Sequence, residues 1–153
     1  MQAIASPWSQ LVREVLGVMA EYKMAEHMDW LSTRGRDFHG VAASIYLLEK
    51  QPSKKYVYPS VSTIEAWLRR VTPPTKLFKE RVLDAFAVFR QLVLVKTYSN
   101  IFQATSRISP IEFVMCVVTI DTYMKTHTLT QLAAGIRRMR EDVRKEQDRK
   151  SVV

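Results

Sequence analysis

The side chains in this chain that can do chemistry are few and scattered. His27, His39, His127 and Cys116 lie far apart without metal-ligand spacing, so a zinc site is not expected. The four glycines, Gly17, Gly35, Gly40 and Gly135, form no phosphate-cradling loop. Cys116 stands among apolar neighbours, where a thiol is packing rather than a nucleophile. Glu112 could be taken for a catalytic carboxylate, but its place three residues after Ser109 explains it as half of a capping box. No serine sits in a nucleophile elbow. The residues point away from an enzyme, and no cofactor is implied.

Basic residues are the stronger signal. With 23 Lys and Arg against 15 Asp and Glu, the formal charge is +8, which favours anionic partners. Three groups carry it. Arg34 and Arg36 flank Gly35 and could grip a phosphate or carboxylate, or pair with Asp29 and Asp37 to pin their own loop. Arg69 and Arg70, followed by Lys76, Lys79 and Arg81, bracket a corner resembling helix–turn–helix, although Pro73-Pro74 is not a DNA-reading turn. The last group is Arg137, Arg138, Arg140, Arg144, Lys145, Arg149 and Lys150. There Arg137–Glu141, Glu141–Lys145 and Arg144–Asp148 are i,i+4 neighbours, so a salt-laced solvated helix competes with a DNA- or RNA-binding face. The candidate nucleic-acid residues are therefore Arg34, Arg36, Arg69, Arg70, Arg137, Arg138, Arg140, Arg144 and Lys145. A protein partner or a second copy meeting apolar surface around Trp8 or Trp30 is the rival reading.

The elements that must position these residues read as helices. From Phe113 to Val118 every residue is apolar, so this segment must be wrapped by other parts of the chain. Ser109 and Pro110 open it, and the expectation is a buried central helix extending to about Met124. Before it, Ser6-Pro7 opens a helix with Trp8, Leu11, Val12, Val15, Leu16 and Met19 in one stripe. Asp37 can cap a helix presenting Phe38, Val41, Ala42, Ile45 and Leu48. A capping box at Ser62–Glu65 precedes Ile64, Trp67, Leu68 and Val71, and Pro73-Pro74 stops that helix. Thr75 starts another with Phe78, Val82, Phe86, Phe89 and Val93 on one side, and Tyr98–Phe102 reads as its frayed extension. Thr128 caps the last, with Leu132, Ile136, Met139 and Val143 in register and a polar end from Arg144 onwards. The expectation is one all-α domain over residues 1–150, a bundle of about six helices around the central one, with a frayed tail at 151–153. Tyr56-Val57-Tyr58 is strand-like but too short for a sheet. At 47% apolar and 25% charged residues the composition is that of a globular protein. No run approaches the roughly 20 apolar residues that span a bilayer. A lone cysteine fits a reducing, intracellular setting, cytoplasmic or nuclear.

Five stretches carry a family resemblance. They are M-Q-A-I-A-S-P-W at Met1–Trp8, W-L-S-T-R-G-R-D-F-H-G-V-A at Trp30–Ala42, I-E-A-W-L at Ile64–Leu68, R-I-S-P-I-E-F-V-M at Arg107–Met115 and M-R-E-D-V-R at Met139–Arg144. Together they resemble the helical region of fungal proteins in which it follows a ParB-like domain of the GmrSD restriction-endonuclease type. Arg34–Phe38 and Ser109–Val114 are the most specific parts. The resemblance implies that the ParB-like domain, with its acidic and glutamine-arginine motif, would precede Met1. No residue here matches that motif, so no catalytic role is carried over. What is implied is a non-catalytic accessory module of a nuclease-type protein.

Overall fold

The computed structural model describes residues 5–28, 36–52, 57–103 and 108–151. Among them are eight helical segments and no strand: α1 (Pro7–Glu21), α2 (Met24–His27), α3 (Arg36–Glu49), α4 (Val61–Leu68), α5 (Lys76–Leu94), α6 (Lys96–Gln103), α7 (Pro110–Tyr123) and α8 (Leu129–Ser151). The all-α expectation holds, as a single helical domain whose core runs through α1, α3, α5, α7 and α8. No helix among the described residues is long and apolar enough to cross a membrane.

The central helix is α7. Ser109 caps it by accepting from the Glu112 amide at 3.3 Å, while the Glu112 carboxylate accepts from the Ser109 amide at 3.2 Å. Pro110 fills the first position, where no amide is missed. Phe113, Val114, Cys116, Val117, Val118 and Ile120 are buried, packed by α3, α5 and α8. Phe113 packs at a tilt against Phe89 and Phe86 of α5, at 5.4 and 6.4 Å between ring centres. Ile111, Met115 and Thr119 are only partly covered, so α7 is wrapped on three sides rather than all round.

Other caps follow from sequence. Ser6 and Ser9 form a reciprocal box at 3.0 Å, Thr75 accepts from the Phe78 amide at 3.1 Å, and Thr128 and Gln131 cap α8 reciprocally at 3.2 and 2.8 Å. Four details differ from expectation. The cap of α4 is Ser60, which accepts from the Thr63 amide at 3.3 Å, so that helix starts ahead of the expected Ser62 box. It also ends at Leu68, well before Pro73-Pro74, and leaves Val71 87% exposed. Thr72 precedes Pro73 and is disfavoured from helical geometry, and its carbonyl accepts instead from the Trp8 indole at 2.7 Å. Asp37 lies inside the first turn of α3 rather than at its cap. Finally, Tyr98–Phe102 is no extension of α5. Val95 is extended (φ −74°, ψ 123°), and the chain restarts as α6, which lies against α8 and buries Ile101. The strand-like Val57 is 69% exposed in an irregular stretch, and Tyr56 falls outside the described residues. Trp30 falls outside them as well.

Candidate functional site

The structure disperses the basic groups. Arg34 lies outside the described residues, as does Asp29, and Arg36 is described only as the first residue of α3. At the second corner Arg69 is exposed at the end of α4, whereas Arg70 is engaged. Its guanidinium donates to both oxygens of Glu49 at 3.0 and 2.8 Å and lies 4.1 Å from the Trp8 ring centre. Trp67 donates to the same carboxylate at 3.0 Å. Arg70 thus clamps the end of α4 onto α1 and α3. Arg81 donates to Asp121 of α7 at 2.8 and 2.6 Å and to the Leu48 carbonyl at 3.0 Å. Hydrogen bonding to Asp121 raises its pKa above the ordinary arginine value, against the opposing effect of burial. Lys79 pairs with Glu14 at 3.3 Å. This corner is a set of fasteners between helices rather than an open anion-binding face.

On α8 the largest correction concerns Arg140. Its side chain is 5% exposed, and its Nε donates to Glu112 Oε2 at 2.5 Å while Nη1 donates to the Ile101 carbonyl. Arg140 is therefore no nucleic-acid residue. It is an internal strut joining α8 to α7 and α6, and Glu112 serves both the α7 cap and this ion pair. The sequence signal was available, because Arg140 follows Ile136 by four residues and so falls on the buried stripe. Cys116 is completely buried near this pair, and desolvation pushes its thiol pKa well above the ordinary value.

The remaining α8 residues do not share one face. At 100° per residue, Arg137 and Arg144 project about 100° away from Arg138 and Lys145, with Glu141 and Asp148 between the two directions. Arg144 is half-buried, while Arg137, Arg138 and Lys145 are exposed. The expected Arg137–Glu141 and Glu141–Lys145 pairs do not form among the described residues. Long exposed side chains gain little from such pairing in water. A surface pair on this helix is Arg149–Glu146 at 3.3 Å.

What sequence reading missed is a groove. Helices α7 and α8 are joined by a short loop and packed as a hairpin, and the incompletely covered side of α7 becomes one wall of an open depression of about 540 Å³. Met115, Thr119 and Tyr123 line it from α7 at i,i+4 spacing; Gly135, Arg138, Met139 and Asp142 line it from α8. Tyr123 is 46% exposed there, and Leu132 forms buried floor. Gly135 lies in α8, and a Cβ added to it would meet nothing within 4 Å. Individually these residues gave no signal, since a groove is a property of two packed helices.

Chemistry remains sparse. Among the described residues no three His, Cys, Asp or Glu side chains converge as metal ligands. His39 Nε2 contacts the Pro59 carbonyl at 3.1 Å, and His127 contacts Thr126 at 2.8 Å with its ring edge on Tyr123. Compared with models of known protein families, with curated proteins and with solved structures, the chain matches none.

Proposed function

We propose that this chain is a non-catalytic helical accessory module that works by docking another polypeptide helix in the α7–α8 groove. The observation that carries this reading is the groove itself. Its floor is apolar, with Met115, Leu132 and Met139, and its rim is polar, with Gln131, Arg138 and Asp142. An apolar floor inside a polar rim is the anatomy of a protein-binding patch. From Gln131 to Asp142 the α8 wall runs about 16 Å, the length of a helix of about eleven residues. The resemblance to a region that follows a ParB-like domain agrees with an accessory role in a nuclease-type protein. A second reading, a nucleic-acid surface, is favoured by the net charge of +8 and by exposed Arg69, Arg137, Arg138 and Lys145. It is the weaker one, because Arg70 and Arg140 are engaged internally and the rest are dispersed.

The test uses amphipathic helical peptides selected from a randomised library against the immobilised protein. The expected result is a selected peptide that shifts the methyl resonances of Met115 and Met139 in NMR spectra. Gly135→Trp, which places an indole in the groove, should abolish those shifts without loss of helical circular dichroism. Peptides that bind elsewhere, or that are indifferent to Gly135→Trp, would overturn the docking reading.

A further inference from the structure

We infer that the occupant of the α7–α8 groove is a second copy of this chain, seated with its own α8 antiparallel to the first about a two-fold axis near residue 140. The inference rests on the docking reading and names its partner. Gln131, Gly135, Arg138, Asp142 and Lys145 follow one another at alternating spacings of four and three, which places them on a single seam of α8. Four of them, Gln131, Gly135, Arg138 and Asp142, also line the groove. In an antiparallel pair centred at residue 140, Arg138 of one copy faces Asp142 of the other. The two-fold repeats that contact with the roles exchanged. Neither Arg138 nor Asp142 has an ion-pair partner among the described residues, whereas Arg70, Arg81 and Arg140 each have one. The same register sets Lys145, a long side chain, opposite Gly135, which has none.

Gly135 supplies the second observation. A glycine inside an exposed stretch of helix weakens it relative to alanine. The space around its missing Cβ is open, so packing within the chain does not require it. In the antiparallel pair that open space receives Lys145 of the second copy. Along this seam charge and bulk are both self-complementary, which is what a second copy needs.

The experiment is sedimentation equilibrium of the full chain at concentrations up to about 1 mM, where even weak specific association registers. The wild type should dimerise reversibly. Arg138→Asp and Asp142→Arg should each weaken self-association about tenfold or more, because like charges then meet twice across the axis. Mixed together, the two single variants should form a heterodimer, since both contacts across the axis then bring an aspartate of one chain against an arginine of the other. Both positions are exposed, and unchanged circular dichroism checks that the fold is intact. An interaction within one helix cannot produce recovery on mixing. A wild type that stays monomeric overturns the second copy as occupant while leaving the peptide titration above to decide the docking reading separately. Dimerisation that ignores both variants, or single variants that fail to recover on mixing, overturns the register.

Discussion

Arg140 and Glu112 show how a charge can belong to the core. Both side chains are almost completely buried, and each satisfies more than one partner: Glu112 the Ser109 amide and Arg140, Arg140 the carboxylate and the Ile101 carbonyl. Removing one member leaves a desolvated charge without its counter-ion, which typically costs about 3–5 kcal/mol. Arg140→Met and Glu112→Gln should each lower stability by that order in urea denaturation. Made together they should cost distinctly less than the sum, because the orphaned charge is then gone. Additive losses would mean that the two do not act as a unit. At this scale the sequence was half legible. The spacing from Ser109 identifies Glu112 as a cap, whereas residue type alone groups Arg140 with its arginine neighbours. Its helical register, the more physical criterion, placed it inside.

Among the elements, legibility followed periodicity. Helices with long apolar stripes, α1, α3, α5 and α7, bury the residues that their spacing singles out, with Leu16, Phe78 and Met115 only partly covered. Boundaries set by lateral contacts were not legible. Past the end of α4 the Thr72 carbonyl meets Trp8, 64 positions away, and the break at Val95 lets α6 turn onto α8. The relocated cap of α4 can be checked directly. Ser60→Ala should cost roughly 0.5–2 kcal/mol, since it strips the acceptor from the Thr63 amide. Ser62→Ala should stay within about 0.5 kcal/mol, the usual range for a surface change. Denaturant midpoints that rank the two the other way would return the helix start to Ser62.

For the molecule as a whole, the positive charge is real but poorly concentrated. Counterion release makes the logarithm of phosphate-binding affinity fall linearly with the logarithm of salt concentration, with a slope set by the number of phosphates neutralised. With Arg70 and Arg140 engaged and the exposed α8 cations split between two directions, few can reach one backbone together. Any binding to labelled DNA or RNA should therefore be weak and sequence-indifferent, with a slope corresponding to about two or three contacts. Arg137→Gln with Arg138→Gln should flatten it further. A steep slope that survives those changes would point to a basic face other than α8. The groove was illegible for a related reason: it arises between α7 and α8, and its clearest mark in the sequence is a residue with no side chain, Gly135.

The position of α7 also has a meaning in time. Helices α3 and α5 both pack against it, yet both are synthesised before it. As the chain leaves a ribosome, Phe86 and Phe89 have no Phe113 to meet, and the part of α3 that α7 covers stays open until residue 123 has emerged. The nascent protein is a shell waiting for its centre. Until α7 joins them, those apolar surfaces stay uncovered, a state in which premature collapse with a neighbouring chain is the hazard.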